Sequence, residues 1–384
     1  MFVSALSLTD FRNYERLEVE LTPGANLFVG SNGQGKTNLV ESLGYLSTLG
    51  SHRVSSDHAM IRQGRDAAIV RARLRHGERE VLAEVQINRT GANRAQVNRS
   101  PIKPRELPRF FSSVLFAPED LALVRGEPSG RRRFMDELLV LRTPRLAGVL
   151  ADYERVLRQR NTLLKSARGL GGERLGTLDL WDERLVALGS ELVEARTRLV
   201  TELDPEVTSA YEAIAGADHA ASLSNRLSIF GASADDDESG ESRTGIVSAD
   251  VAAEAFRATL ARIRRSELDR GVTLAGPHRD DLTLELNGMP ARGYASHGES
   301  WSFALALKLA SAAVLRRESS TGDPVLILDD VFAELDESRR GRLADAVADF
   351  EQVLITAAVY DDVPPALAGT VIRIRAGAVV TADD

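Results

Sequence analysis

An eight-residue stretch, GSNGQGKT at residues 30–37, constrains the fold of this chain more than any other feature. It matches the pattern G-x-x-x-x-G-K-[ST], it follows the apolar run Leu27-Phe28-Val29, and it precedes residues whose pattern predicts a helix over 38–49. Glycines let the backbone curl so that its N–H groups point at one anion, and a helix N-terminus also favours negative charge. The pattern therefore predicts a strand, a phosphate-binding loop (P-loop) and a helix within an α/β fold.

The same stretch predicts the ligand and the residues that hold it. Lys36 carries the ammonium group that neutralises the β- and γ-phosphates, and Thr37 carries the hydroxyl that ligates Mg²⁺. We therefore expect ATP and Mg²⁺ as cofactors. The residues expected to line the nucleotide are Gly30, Ser31, Asn32, Gly33, Gln34, Gly35, Lys36 and Thr37.

Two acidic residues follow a second apolar run. Residues 325–328 are Val-Leu-Ile-Leu, which is typical of a strand buried on both faces, and Asp329 and Asp330 come directly after it. Open α/β sheets bind their ligands at the carboxyl ends of the strands. We therefore expect Asp329 to hold Mg²⁺ together with Thr37. Asp330 is expected to orient or deprotonate the attacking water, so that Asp330 and Lys36 are the catalytic candidates.

A third candidate site is Ser296-His297-Gly298-Glu299-Ser300, which precedes a strongly helical segment. Taken alone, this stretch indicates only a helix start with Ser296 or Ser300 as its cap. In this order and spacing it resembles the signature loop of ABC-type ATPases, which binds the γ-phosphate held by a second copy of the chain. The resemblance implies that Ser296 and Gly298 contact nucleotide in an ATP-closed homodimer, with Glu299 where the loop usually has Gln.

The middle of the chain differs in pattern from its ends. Apolar residues between Leu146 and Leu199 recur at intervals of three and four, which predicts two long helices, and Asp204-Pro205 is expected to end the second. We predict an α/β fold, an ABC-type P-loop ATPase head with an inserted helical lobe that forms a short coiled-coil-like arm. The expected segments are 1–125 for the head with the P-loop, 126–271 for the lobe, including an acidic loop at 231–242, and 272–384 for the rest of the head.

Further blocks of sequence resemble the RecF family of bacterial recombination-repair proteins. They are residues 8–14 (LTDFRNY), 30–41 (GSNGQGKTNLVE), 116–121 (FAPEDL), 126–128 (GEP), 131–136 (RRRFMD), 276–281 (GPHRDD) and 328–336 (LDDVFAELD). The resemblance implies an ATPase that dimerises on ATP, hydrolyses it slowly and binds DNA near single-strand/double-strand junctions. It further implies that the protein acts with RecR and RecO to place RecA on gapped DNA during recombinational repair and replication restart.

Charge is distributed unevenly along the chain, whose net charge is −8. Residues 51–150 hold 19 Lys and Arg against 11 Asp and Glu, whereas the remaining residues hold 29 against 45. The basic segment fits either a surface for DNA phosphates or the solvated faces of Arg-rich strands. Aromatic residues do not interleave its basic patch at residues 71–105, which favours duplex backbone over stacked single strands. The expected DNA contacts are Arg71, Arg73, Arg75, Arg94, Arg99, Lys103 and Arg105.

Other classes of protein remain as alternatives. A chromosome-structural ATPase of the SMC or Rad50 type needs a much longer coiled coil than this chain offers. The nucleotide-binding subunit of a membrane transporter should carry a His after the strand predicted over 352–355, where this chain has Thr356. We therefore expect Thr356, the polar residue at that strand end, to contact the nucleotide.

Composition bounds the compartment and the partners. The chain has no Cys, which excludes disulfides, and no apolar run approaches the about 20 residues that span a bilayer. No basic stretch followed by an apolar one indicates a signal peptide near Met1. We expect a cytoplasmic protein without a membrane partner.

Overall fold

Strands dominate the two ends of the chain and helices dominate its middle. The computed structural model describes residues 1–54, 56–167, 175–216, 219–231, 240–319 and 322–380. In chain order, strands β1–β16 span Phe2–Phe11, Tyr14–Glu20, Gly24–Val29, Ala67–His76, Arg79–Asn88, Arg94–Val97, Ser100–Ile102, Ser113–Phe116, Ser222–Leu227, Glu241–Arg243, Asp281–Leu286, Met289–Pro290, Val325–Asp329, Gln352–Ala357, Thr370–Arg375 and Ala378–Val380. Helices α1–α9 span Lys36–Thr48, Leu121–Arg125, Pro128–Arg142, Leu146–Ala167, Leu175–Ala215, Ala249–Arg270, Ala291–Tyr294, His297–Glu318 and Glu337–Val347.

The chain forms two compact units. The first unit comprises Met1–Leu121, Ser209–Asp218 and Trp301–Asp384, and the second comprises Ala122–Thr208 and His219–Ser300. The expected lobe boundary at residue 271 differs from this division, because β11 pairs with β9 and so joins residues 272–300 to the second unit. Of the expected acidic loop, residues 232–239 lie outside the described residues, and β10 occupies its last positions.

The first unit contains two six-stranded sheets. One is antiparallel, with the order β2-β1-β4-β5-β6-β7, and it alternates buried and exposed residues along β4. The other has the order β16-β15-β3-β14-β13-β8, in which β16 alone among these strands runs antiparallel to its neighbour. Strands β13 and β14 are buried along their whole length, as parallel strands covered on both faces require. Their register places Asp329 opposite Thr356, so the carboxyl ends of the central strands meet at one edge.

The second unit combines helices with a small sheet, and two of its strands, β9 and β10, lie within the segment 126–271 that the sequence predicted to be helical. Strands β10-β9-β11-β12 form an antiparallel sheet, and α4, α5 and α6 contribute apolar side chains to a common core. Tyr153, Leu192 and Phe256 are representative of this core and are at most 3% exposed. No helix within the described ranges is long and apolar enough to cross a bilayer.

Helix α5 does not end at Asp204-Pro205, where the sequence predicted a break, but continues through Pro205 to Ala215. Proline removes one backbone hydrogen bond and disfavours a helix interior by about 3 kcal/mol. Leu203, Val207 and Tyr211 on one face of this helix are completely buried. Burying three such side chains contributes about 1.5–3 kcal/mol each, which is enough to outweigh the proline.

A fully buried arginine links three helices of the second unit. Arg160 of α4 donates to Asp182 of α5 at 2.6 Å and to Glu267 of α6 at 2.5 Å, and its remaining terminal nitrogen donates to Thr273 at 2.8 Å. Burial raises the pKa of Glu267, while the hydrogen bond and charge of Arg160 oppose that rise. The Arg160 guanidinium therefore neutralises the buried Glu267 and shares Asp182 with Arg264, which donates to the other oxygen of Asp182 at 2.5 Å.

Replacing Arg160 with leucine is predicted to destabilise the chain by about 3–5 kcal/mol, because the buried Glu267 loses its counter-ion and Asp182 keeps only Arg264. The matched control is Arg257→Leu on α6, whose partner Glu183 is exposed to solvent. In urea unfolding at pH 7, followed by circular dichroism, the midpoint urea concentration should fall strongly for Arg160→Leu and change little for Arg257→Leu. Equal midpoints would show that the buried network contributes no more than a surface ion pair.

Candidate nucleotide-binding site

The P-loop runs from the end of β3 to the start of α1 and requires glycine at defined positions. Gly33 and Gly35 adopt positive φ angles of 79° and 114°, a region that residues with side chains rarely occupy. A Cβ on Gly35 would lie 2.7 Å from the Asn13 amide nitrogen and 2.8 Å from the Tyr14 hydroxyl. The loop conformation expected from the glycine spacing is therefore fixed by both backbone geometry and close packing.

Two hairpins distant in sequence brace this loop. In the β1–β2 turn, the Asn13 amide donates to the Gln34 carbonyl at 3.3 Å, and the Tyr14 hydroxyl donates to the Gly35 carbonyl at 2.9 Å. In the β15–β16 turn, the backbone N–H of Ala376 donates to the Gln34 side-chain oxygen at 2.5 Å, and that of Gly377 donates to the Gln34 carbonyl at 3.0 Å. Gln34 thus serves as an anchor for the loop, with its side-chain oxygen turned to the second hairpin.

The Lys36 ammonium is buried at the loop. It donates to the carbonyl of Gly30 at 2.8 Å and to that of Ser31 at 3.4 Å. These carbonyls belong to the loop itself. A phosphate group bound in the loop would replace them as the hydrogen-bond acceptor of the ammonium. The position is the one that the sequence pattern predicts for a lysine that neutralises phosphate.

Asp329 lies at the end of β13 and joins three elements of the site. Its Oδ1 atom accepts from the Thr37 hydroxyl of α1 at 3.1 Å and from the Thr356 hydroxyl of β14 at 2.6 Å. Burial raises the pKa of Asp329 to about 6, and the charge of Asp330 acts in the same direction, while the two hydroxyls oppose the shift. A cation beside this carboxylate would favour its ionised form.

The carboxylate and hydroxyl oxygens brought together here fit Mg²⁺. This cation is hard, prefers oxygen ligands, and is usually held by one or two carboxylates together with substrate phosphates and water. Thr37 and Asp329 supply such oxygens beside the P-loop. The two residues expected from the sequence to hold the metal are therefore adjacent in the structure.

Asp330 has an unusual backbone conformation that Thr356 supports. Its φ of 52° lies in the left-handed region, and its backbone N–H donates to the Thr356 hydroxyl at 2.9 Å. Within the described part of the chain, no hydrogen bond is made to the Asp330 carboxylate, which is half-buried. The Asp330 carboxylate thus has no hydrogen-bond donor among the described residues that would compete with a water molecule.

Thr356 occupies a different role from the one its position in the sequence suggested. Its hydroxyl donates its single hydrogen to Asp329 and accepts from Asp330, and the side chain is 1% exposed. It has no further hydrogen to offer a phosphate oxygen. Thr356 therefore supports the Asp329 carboxylate and the Asp330 backbone.

The signature-like loop lies in the second unit, at the start of α8. The Ser296 hydroxyl accepts from the Glu299 backbone N–H at 3.3 Å, and the Glu299 carboxylate accepts from the Ser296 N–H at 2.7 Å. This reciprocal pair is a capping box, so Glu299 points back at its own helix. Ser296 remains exposed and Gly298 half-buried.

The structure divides the seven basic residues expected to contact DNA into two groups. Arg71, Arg73 and Arg75 lie on β4 near the carboxylates of neighbouring strands, the closest pair being Arg71 and Glu84 at 2.6 Å. The other four surround the β6–β7 hairpin, and none of them forms an ion pair with a described residue. They are Arg94, Arg99, Lys103 and Arg105.

Several residues that shape the site belong to no sequence pattern that predicts a role there. Asn13 and Tyr14 belong to a block that pointed to a family, yet nothing in their spacing indicated contact with the P-loop. Arg12 donates to Glu41 of α1 at 2.7 and 2.9 Å, which ties the same turn to the helix after the loop. His52 lies with its Nε2 atom 3.9 Å from Asp329 Oδ2, and no spacing rule predicts that approach.

Known proteins match this chain over nearly its full length. A family model described as the RecF/RecN/SMC N terminal domain matches residues 2–372. The DNA replication and repair protein RecF of Clavibacter michiganensis subsp. michiganensis is 66% identical over 392 residues, covering 100% of this chain and 96% of that protein.

Solved structures agree with these sequence matches. The recombination mediator protein RecF-ATP in the RecFOR pathway superposes with a TM-score of 0.86 at 27% identity, covering 99% of this chain and 97% of the other. An Smc head bound to the C-winged helix domain of ScpA gives 0.53 at 15% identity over 99% and 96% of the two chains, which shows a shared fold. The predicted α/β ABC-type ATPase fold is confirmed, and the chain belongs to the RecF family of DNA replication and repair proteins.

Proposed function

We propose that this chain binds ATP with Mg²⁺ and uses slow ATP hydrolysis to control a homodimer that grips DNA during recombinational repair. The observation that carries the proposal is the cluster at the P-loop, where Thr37, Asp329 and Thr356 share one hydrogen-bonded oxygen. A relative of the same fold is described as RecF-ATP, which supports ATP as the nucleotide.

In this proposal, each residue of the site has its own role in ATP hydrolysis. The P-loop amides and Lys36 bind the phosphates, while Thr37 and Asp329 hold the cation. When bound, Mg²⁺ would neutralise charge that develops on the triphosphate oxygens. Asp330 orients the attacking water or accepts its proton, and Thr356 fixes the backbone from which Asp330 projects.

The signature-like loop is proposed to complete the site from a second copy of the chain. Its exposed Ser296 lies at the N-terminus of α8, a 22-residue helix, where partial positive charge favours an anion such as the γ-phosphate. Because Glu299 is bound within its own capping box, its negative charge is held at the helix start. ATP would then join two copies, and hydrolysis would release them.

DNA is proposed to lie on the β6–β7 hairpin surface, because its cations are free of carboxylate partners among the described residues. In the cytoplasm, the closed dimer would bind gapped duplex DNA and help RecR and RecO to place RecA. The relative described as a recombination mediator in the RecFOR pathway supports this assignment. Phosphate contacts of this kind bind DNA without reading its sequence.

Replacing Lys36 with alanine is predicted to weaken ATP binding by about 10- to 100-fold, because hydrogen bonds to charged groups contribute about 1.5–3 kcal/mol. Titration with a fluorescent ATP analogue measures the dissociation constant. Lys165→Ala on α4 is the control, since that lysine lies outside the P-loop. An unchanged constant for Lys36→Ala would refute the assignment of the P-loop.

Replacing Asp330 with asparagine is predicted to slow turnover by about 100- to 10,000-fold while ATP binding persists, because the water loses its base. The variant should therefore accumulate as an ATP-bound dimer, which size-exclusion chromatography detects. Asp361→Asn alters an exposed aspartate beyond β14 and serves as the control. Normal phosphate release by Asp330→Asn would remove Asp330 from the mechanism.

Replacing Ser296 with arginine is predicted to block dimer formation and to leave ATP binding by the monomer intact, because the bulky side chain fills the loop that meets the second copy. Ser248→Arg is a matched control, since Ser248 caps α6 in the same unit through its hydroxyl. Light scattering with ATP should show monomers for the first variant and dimers for the second. ATP-dependent dimers of Ser296→Arg would contradict the signature assignment.

Replacing Arg94 and Arg99 with alanine is predicted to lower the salt dependence of duplex binding by about two phosphate contacts, a slope change of roughly 1.8. Arg71→Ala with Arg73→Ala removes the same net charge from arginines that already face carboxylates, and its slope should match the wild type. Fluorescence anisotropy at several salt concentrations gives both slopes. Identical slopes for the two double variants would exclude the hairpin surface.

A further inference from the structure

His52 lies on the segment that follows α1, between two residues that are anchored to that helix. The Ser51 hydroxyl donates to Glu41 at 2.5 Å and accepts from the backbone N–H groups of Arg53 and Val54. The Arg53 guanidinium donates to Asn38 at 2.9 Å. The backbone around His52 is therefore fixed relative to the helix that begins at the P-loop.

The imidazole faces the carboxylate that is expected to hold the cation. His52 Nε2 is buried and has no hydrogen-bond partner among the described residues, and it lies 3.9 Å from Asp329 Oδ2. Asp329 Oδ1 already accepts from two hydroxyls, so the oxygen nearer His52 is the one left for a ligand. A buried polar atom without a partner destabilises the fold, and a site retains such an atom when it serves a ligand.

The unpartnered nitrogen suits a ligand that donates a hydrogen. In the neutral form of imidazole, one ring nitrogen has a lone pair that can accept a hydrogen bond from water.

Resting on the proposed function, we propose that His52 is a positioning residue for the divalent cation of the nucleotide site. Its Nε2 would accept a hydrogen bond from a water in the coordination shell of the cation at Asp329. The separation of 3.9 Å is too long for a direct hydrogen bond and leaves the nitrogen directed at the space beside the carboxylate. Mg²⁺ commonly keeps several waters, and partners outside the coordination shell typically change metal affinity by about 10- to 100-fold.

The test measures cation binding apart from catalysis. His52→Phe keeps a ring and removes both nitrogens, His52→Gln retains an acceptor, and His58→Phe makes the same change at an exposed histidine. Mn²⁺ is titrated into each protein with the nonhydrolysable analogue AMPPNP, and free Mn²⁺ is read by electron paramagnetic resonance. A fluorescent ATP analogue in EDTA reports nucleotide affinity without the cation.

We expect Mn²⁺ affinity to fall about 10- to 100-fold in His52→Phe, to recover in part in His52→Gln, and to stay unchanged in His58→Phe. Nucleotide affinity in EDTA should be the same in all four proteins. Wild-type Mn²⁺ affinity in His52→Phe, or in His52→Leu if the first variant does not fold, would overturn the role of His52 and leave the proposed function standing. Failure of the wild-type protein to bind Mn²⁺ with AMPPNP would instead overturn the proposed function.

Discussion

A single carboxylate oxygen organises the candidate site. Asp329 Oδ1 accepts from Thr37 at the start of α1 and from Thr356 at the end of β14, so one atom joins the P-loop helix and two parallel strands. The carboxylate is nearly buried, and an unpaired buried charge would be costly. The hydroxyls reduce that cost, and a cation would reduce it further. The cation binding expected of the site thus follows from the negative charge of Asp329, which the fold largely shields from solvent.

The P-loop depends on contacts made far away in the chain. Gln34 and Gly35 accept hydrogen bonds from the β1–β2 and β15–β16 turns, which lie near the two ends of the sequence. The glycines supply the backbone freedom, and the hairpins select one conformation from it. A phosphate would therefore meet amides that are already arranged, which lowers the ordering cost of binding.

The sequence predicted the parts of the site that are contiguous. The P-loop and the Asp329-Asp330 pair are local patterns whose geometry follows from a strand, a turn and a helix. Partners that meet through tertiary structure were not predictable: the Thr356 hydroxyl could be assigned only once β14 was known to lie beside β13. The capping box of Glu299 was present in the sequence as Ser-x-x-Glu, whereas the resemblance to a signature loop indicated only that Glu299 replaces the usual Gln.

In the fold, too, local features were predictable from the sequence and features set by tertiary packing were not. Buried parallel strands and amphipathic helices follow from local patterns, whereas Pro205 lies inside α5 because packing along the helix outweighs one lost hydrogen bond. Tertiary structure also separates the basic residues that face carboxylates from those that do not. The register of β4 against β5 places Arg71 opposite Glu84, and a single sequence does not give that register.

We propose that nucleotide state governs whether two copies of the chain join around DNA. Sedimentation velocity of the wild-type protein with Mg-ATP or Mg-ADP, with and without gapped duplex, measures this dependence. We expect dimers with ATP, stabilised further by the duplex, and monomers with ADP. A monomer at saturating Mg-ATP with duplex present would contradict it.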